Sequence, residues 1–432
     1  MACISAFSRS VFFTNFVNNY LFLIYFYLSL EYSDPAMLRH YFRSSKLKQI
    51  FFVVVFINLI LLISHSSILH DLLFENNELT KEDLLLYTPA NLSTQHIQSA
   101  MKKLETNPIY QAFDIIPPPT KEKVDLLLIV SSGPRRSDRR DAIRQTWWQQ
   151  CVPTNGLVPK CIFITDFQRH NDTFYNTTLS ESKLHKDIYF QKLSGGIEFG
   201  RRFLYHLVWA KMNFDFDYFM RVDDDYLFCL KRFLHEMPKT FTPNFHWGYT
   251  HHLEEGMVRP EESMVLFSKD VVESFLAQDP NRLLCHPWAD QMIASWISRF
   301  PHMKTLLRHD DRLHHHPTVD ETPDLMTMDA ICDTFIGVHG CYPDNMRKLW
   351  KRAGSFNHDG SDLIQNTRLV KFSLFNWRKF IFSWRYKPKY CISNPTWDTM
   401  KQVVSGGVYA GRQEGGEVRS LSFFKRILKH LF

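Results

Sequence analysis

The stretch Tyr218-Phe219-Met220-Arg221-Val222-Asp223-Asp224-Asp225-Tyr226-Leu227-Phe228 sets three consecutive carboxylates between apolar flanks. Flanks of this kind suit a strand buried inside a mixed sheet. Three carboxylates in that setting repel one another and are costly to desolvate, and a divalent cation removes the conflict. At the carboxyl end of a strand, where open α/β sheets bind their ligands, the same cation would also hold a diphosphate. Side chains alternate across a strand, so Asp223 and Asp225 share one face while Asp224 points away. A solvated acidic turn is the competing reading, and the apolar flanks favour the metal–phosphate site over it.

Outward from this stretch, strand and helix patterns alternate. Residues 124–130 (VDLLLIV) read as a buried strand, and Ser137 is placed to cap a following helix that carries Arg140, Ile143, Arg144 and Trp147. Residues 161–165 form a second strand. Residues 199–212 form a helix with Phe203, Leu207 and Ala210 at helical spacing, leading directly into the triplet strand. Residues 264–267 are a short strand, and Ser268 begins a helix through Phe275. Residues 287–297 read as a clearer helix, with Pro287 at its first position and Met292, Ile293, Trp296 and Ile297 on one face. A last strand over 335–338 ends at His339. The alternation predicts an α/β domain with a mainly parallel mixed sheet and helices on both faces.

The 432 residues suffice for one large α/β domain with appendages. The net charge of +6 is spread along the chain without a basic stripe, which argues against a nucleic-acid partner. Residues 50–69 form a stretch of about 20 residues without formal charge, long enough to cross a bilayer core. Arg39, Arg43, Lys46 and Lys48 precede it and Asp71, Glu75 and Glu78 follow, so residues 1–49 are expected in the cytoplasm and the remainder in the lumen. A weaker apolar segment over 11–30 is interrupted by Asn15, Asn18 and Asn19. Either it also spans, with the basic loop still cytosolic, or Met37 is the true start; a single anchor is the preferred reading. No convincing small-residue cleavage site follows Leu69.

Three sequons make Asn91, Asn171 and Asn176 glycosylation candidates. Seven of the 8 cysteines follow the anchor, where an oxidising compartment permits disulfides. Cys151 with Cys161 and Cys332 with Cys341 are near in sequence and plausible pairs. Connectivity is not deducible from sequence, and one cysteine is left over as a candidate free, buried thiol. Residues 70–120 are polar and mixed, close with Pro117-Pro118-Pro119, and read as an extended stem. The main domain then runs over 121–353. Residues 354–432 lose the regular pattern, leaving open an extra subdomain, a disordered extension or a doubtful gene model.

Three blocks in this order carry a resemblance: Arg139-Arg140-Asp141-Ala142-Ile143-Arg144-Gln145-Thr146-Trp147, then Phe219 to Asp225, then Phe335-Ile-Gly-Val-His-Gly-Cys-Tyr-Pro-Asp-Asn-Met-Arg-Lys-Leu-Trp350. Over roughly residues 122–353 the chain resembles the inverting β-1,3-galactosyltransferase and β-1,3-N-acetylglucosaminyltransferase family of the Golgi. The first and last blocks are specific; the triplet alone is shared by many sugar-nucleotide enzymes. The resemblance implies a GT-A nucleotide-diphospho-sugar transferase fold behind an N-terminal membrane anchor, in a single-pass type II Golgi membrane protein with a luminal catalytic domain. It also implies transfer of galactose or N-acetylglucosamine from UDP to a glycan acceptor on glycoprotein or glycolipid, in β-1,3 linkage, with inversion and with Mn2+ as cofactor.

Carried over residue by residue, Asp225 and His339 are the implied metal ligands, and Asp223, with Asp224, belongs to the donor side. Hard oxygen ligands with one imidazole suit manganese, whose charge stabilises departing UDP. The run His314-His315-His316 is a rival imidazole source, although such runs are more often solvated loops. Asp290 is the candidate general base, since inversion requires a carboxylate opposite UDP, and the first turn of a helix favours its ionised form. The alternative is an Asp that serves the helix alone. Arg139, Arg140 and Arg144 either orient the nucleotide or line a solvated face, and Arg202 falls where the family tends to carry a Lys near the donor. Trp147, Trp209, Trp296 and Trp350 read as core. The chain departs from the family at Trp148, where a Gly is usual, and at Ala289, where a Glu is usual. It departs again over 262–268, which lacks the glycines of a turn that approaches the sugar. These departures keep a second expectation open, a luminal glycan-binding or chaperone protein without catalysis.

Overall fold

The computed structural model describes residues 92–166, 173–192, 199–253, 257–299, 307–315, 322–354, 367–370, 388–395 and 397. The chain divides into two units, Met1–Lys81 and Glu82–Phe432, and every described residue lies in the second. Segments 11–30, 50–69 and 70–91, with Met37 and Asn91, lie outside the described residues. Among the described residues no helix is long and apolar enough to cross a membrane.

Strand β1 (Glu122–Ser131) carries the run Leu126 to Val130, in which every side chain is fully buried. Burial on both faces is the signature of a central parallel strand. Around it lie β2 (Pro159–Asp166), β3 (Ile188–Gln191) and β4 (Phe214–Asp223), all parallel to it or to each other. After the short β5 (Leu227–Phe228), the pair β6 (His246–Leu253) and β7 (Met257–Ser268) extends the sheet on the other side of β4. With β8 (Leu284–Cys285) set apart, β9 (Arg308–His309), β10 (Gly337–Val338), β11 (Arg368–Leu369) and β12 (Lys389–Tyr390) complete the strands. Among the described residues the main sheet has eight strands in the order β11-β9-β6-β7-β4-β1-β2-β3, with β7 antiparallel to β4.

Helices cover both faces, as the alternation of strand and helix patterns requires. The longer ones among the described residues are α1 (Thr94–Lys102), α2 (Ser137–Gln145), α3 (Thr173–His185), α4 (Phe199–Asn213), α5 (Leu230–Glu236), α6 (Lys269–Leu276), α7 (Ala289–Ser298) and α8 (Pro343–Trp350). The two-residue period of β1 sorts its side chains between two cores. Leu127 and Ile129 join α4, α6 and α7, while Leu126, Leu128 and Val130 join α2, α5 and α8. Trp147, Trp209 and Trp296 are core as expected, and Trp350 packs half-buried at the margin. Trp148 lies flat on Phe163, ring centroids 4.3 Å apart, which gives this bulky residue a stacking partner beside the sheet.

Several sequence expectations shift. From residue 92 onward the expected stem is folded onto the domain: Leu104, Ile109, Tyr110 and Phe113 are buried in the core, and Tyr110 Oη donates to the Leu276 carbonyl at 3.3 Å. Its apolar residues, spaced for short helices, outweigh its mixed composition. Ser137 is the first residue of α2 and gives no side-chain cap. Pro287 precedes α7, whose N-cap is Trp288. The strand expected over 335–338 shrinks to Gly337–Val338 and pairs antiparallel with β5, outside the main sheet. Cys332 bonds to Cys229 instead of Cys341, which is the free and buried thiol. The Cys151–Cys161 pair is as expected, and Cys285 is tied to Cys391. Beyond residue 354, β11 therefore adds an edge strand, and β12 with Cys391 staples a further stretch to β8.

Candidate active site

Strand β4 ends at Asp223, and the chain turns through Asp224 and Asp225 before β5. Pairing of Val338 with Leu227 across the small β5–β10 sheet then sets His339 beside this turn. Two hydrogen bonds hold the arrangement, Cys341 N–H to the Asp225 carbonyl at 2.7 Å and His339 N–H to the His315 carbonyl at 2.8 Å. One ligand atom each from Asp223, Asp225 and His339 converges so that all lie within 4.8 Å of one another. Two carboxylate oxygens and one imidazole nitrogen at this separation fit a divalent cation such as Mn2+. Asp224 points the other way, fully buried, with Arg139 Nη1 2.6 Å from its Oδ1. The alternation expected from the triplet holds although the strand stops at its first member. Asp224 is thus anchored in the interior on Arg139, apart from the side on which Asp223, Asp225 and His339 converge.

The electrostatics follow from this packing. Burial opposes ionisation of Asp225, but His339, with Nε2 3.5 Å from Oδ1, and Arg139, 3.6 Å from Oδ2, outweigh it and hold the carboxyl below its ordinary range. Burial likewise opposes protonation of His339, and Asp225 outweighs it, raising the imidazole. Arg139 therefore spans the last two aspartates, its guanidinium also 4.8 Å from the Tyr342 ring centre. Arg221, itself buried, sets Asp223 from behind: Nη2 is 2.7 Å from Asp223 Oδ1, and Nη1 donates to the Glu262 carbonyl.

Asp290 lies buried in the first turn of α7, and the Glu262 carboxylate accepts its N–H at 2.9 Å. The close approach of α4 to the α7 entry depends on Gly200, where a Cβ would lie 2.1 Å from the His286 carbonyl. Burial raises the Asp290 carboxyl; Arg259, in direct contact with Oδ2, opposes the shift and Glu261 adds to it. Glu262 is raised further, first by burial and then by the Asp290 charge. A carboxylate thus does stand at this helix start despite Ala289, supplied by β7 and not by the residue before Asp290.

The remaining expected arginines are committed to interior carboxylates. Arg140 is fully buried and binds both oxygens of Glu181, at 2.9 and 2.7 Å, plus the Gly133 carbonyl. Arg144 forks onto Asp187 with two 2.8 Å bonds and reaches Glu181 at 2.7 Å. Both tie α2 to the α3–β3 segment, so they act as structural links and not as an open nucleotide-binding face. Arg202 forks onto Asp166 at the carboxyl end of β2. Asn176 is exposed on α3, while Asn171 lies outside the described residues.

Sequence reasoning missed a second polar cluster, and it undervalued the histidine run. Glu261 Oε1 accepts from Ser263 N–H at 3.0 Å and from Ser263 Oγ at 2.6 Å, while His251 Nε2 is 2.5 Å from Oε2. His314 Nε2 is 3.9 Å from Oε2, its Nδ1 contacts Tyr226 Oη, and its ring centre is 5.0 Å from that of His339. His314 is therefore part of the site wall and not a solvated loop, whereas His315 stacks on Phe335 and His316 lies outside the described residues. Glu261 is held well below its ordinary range, burial being outweighed by His314 and His251. The available signal was a Glu-Glu pair entering an apolar strand, where solvent-facing alternation does not account for both charges.

The carboxylates and the imidazole thus gather at the carboxyl end of β4, where open α/β sheets bind their ligands. Residues 138–277, about a third of the chain, match the family model described as Galactosyltransferase, which supports a glycosyl-transfer function. The match includes the aspartate triplet and Glu261 and ends before Asp290 and His339. No curated protein matches the chain. Among solved structures it is similar to the WbbM bifunctional glycosyltransferase in its apo form, at 9% identity and a TM-score of 0.32, over 55% of this chain and 51% of that one. It is also similar to the mannosyltransferase PcManGT from Pyrobaculum calidifontis in complex with GDP-Man and Mn2+, at 11% identity and a TM-score of 0.24, over 41% and 57%. The chain thus spans about half the length of these structures.

Proposed function

We propose that the chain is a metal-dependent inverting hexosyltransferase of the GT-A type. It moves galactose or N-acetylglucosamine from UDP to a hydroxyl of a glycan acceptor in β-1,3 linkage. The observation that carries this reading is the convergence of Asp223, Asp225 and His339 at the end of the central strand. The charge pattern around residues 50–69 supports anchoring as a type II Golgi membrane protein with this domain in the lumen. Asp223, Asp225 and His339 would hold a divalent cation, which would supply positive charge to the departing diphosphate. Arg221 and Arg139 hold the trio's carboxylates in place. Asp290 accepts the proton of the acceptor hydroxyl as that oxygen bonds to the anomeric carbon and the sugar–UDP bond breaks. Burial brings the Asp290 carboxyl closer to the range useful for proton transfer near neutral pH. Arg259 lies on one of its oxygens and has to yield that position to the acceptor.

That same contact favours a second reading, a luminal glycan-binding or chaperone protein in which Asp290 is no longer a base. The two separate in an assay of the full-length chain with UDP-galactose and UDP-N-acetylglucosamine, Mn2+ and a panel of glycan acceptors. Turnover is expected, falling by roughly a hundredfold or more in Asp225→Ala and in Asp290→Asn. Full activity in both variants would sink the site assignment. Glycan binding without turnover of any UDP-sugar would select the second reading.

A further inference from the structure

We infer that Glu261, with Tyr249 and His251, forms the subsite that receives the transferred sugar ring of the donor, a neutral hexopyranose. The inference rests on the proposed function and goes beyond it, since neither the metal trio nor Asp290 recognises the sugar. The cluster adjoins both of those parts of the site. On one side, Glu261 adjoins His314, whose ring is 5.0 Å from that of His339. On the other, the next residue, Glu262, accepts the N–H of Asp290, and Arg259 on the same strand contacts the Asp290 carboxylate. A sugar attached to a diphosphate at the trio, and attacked by a hydroxyl at Asp290, has to pass along this wall.

The wall offers the two contacts a pyranose needs, a charged acceptor for hydroxyl groups and an aromatic face. A carboxylate has about four acceptor positions. Ser263 N–H, Ser263 Oγ and His251 fill three of those on Glu261, and the side chain keeps 13% of its surface exposed. The partly exposed Tyr249 ring lies 5.1 Å from the rings of both His251 and His314, which fix it at the rim. Rigidly held acceptors of this kind discriminate strongly, because an unmatched partner leaves a desolvated charge. Glu261 is ionised over the working pH range, so it accepts from neutral sugar hydroxyls and repels a sugar carboxylate.

Calorimetric titration of the full-length chain in detergent with Mn2+ tests this, using UDP, UDP-galactose, UDP-N-acetylglucosamine and UDP-glucuronic acid as probes. In the wild type, one of the two neutral donors is expected to bind roughly tenfold tighter than UDP, and UDP-glucuronic acid no tighter than UDP. In Glu261→Gln the UDP affinity is retained while the preference for the neutral sugar falls by roughly tenfold and the penalty on the uronate shrinks. Tyr249→Leu, at a partly exposed ring, provides a second variant should Glu261→Gln fail to fold, and it is expected to lose the same preference. Unchanged sugar preference in a folded variant overturns the subsite and leaves the proposed function standing. A wild type that binds no UDP with Mn2+ overturns both.

Discussion

Asp223, Asp224 and Asp225 meet three different surroundings within one turn of chain. Asp223 rests on Arg221, Asp225 lies between Arg139 and His339, and Asp224 is buried against Arg139. Burial pushes the Asp224 carboxyl upward, with Arg139 opposing, so its ion pair secures position more than it adds stability. Removing one partner is another matter. Asp224→Ala leaves Arg139 without its nearest counter-charge and is expected to destabilise the domain by on the order of 3–5 kcal/mol, read from denaturant unfolding. The freed guanidinium, already 3.6 Å from Asp225, is expected to move closer to it and to weaken the divalent-cation binding proposed for that carboxylate. Asp224→Asn, which preserves shape and one acceptor, is expected to lose less on both counts. Equal stability of Asp224→Ala and wild type would show that the anchor role is wrong.

Among the elements, α2 and α3 are joined by Arg140, Arg144, Glu181 and Asp187. Burial opposes ionisation of Glu181, but the two guanidinia outweigh it and lower its pKa from the ordinary 4.5. A lowered folded-state value contributes stability that is fully present above the unfolded value and is lost as pH falls through the folded one. The acid limb of a melting-temperature profile, from about pH 4.5 downward, is therefore expected to flatten in Glu181→Gln, which is also less stable at neutral pH. An unchanged acid limb would remove Glu181 from the account. This element pair also marks how far the sequence could be read. The apolar run of β1 and the helical spacing of α4 identify themselves, because their burial patterns are local. From the chain alone Arg140 and Arg144 read either as orienting a nucleotide or as a solvated face, since their partners sit about 40 positions away on another element. The same reason hid Glu262 behind Ala289: the missing carboxylate returns from a neighbouring strand, and period and spacing say nothing about which strands become neighbours. His339 was singled out by the resemblance of its block, and the structure does bring it to Asp223 and Asp225, whereas the strand partner that places it there, β5, was not legible.

For the molecule as a whole, two long disulfides set the constraints. Cys229–Cys332 and Cys285–Cys391 join residues 103 and 106 positions apart. Replacing Cys285 and Cys391 together by alanine is expected to cost about 2–4 kcal/mol and to loosen β12 from β8. Thermal melting with and without reductant checks this: the wild type should lose stability on reduction by more than the variant does. A variant as stable as the wild type would mean that the tail is held by packing alone. The second bridge also opens before the first one closes, so the two loops interlace along the chain. During synthesis Cys285 emerges well before Cys391, and it can capture Cys229 or Cys332 first. Correct maturation then depends on reshuffling, and it can finish only after Cys391 has left the ribosome. The order in which these four cysteines pair then bears on how many copies reach the native connectivity.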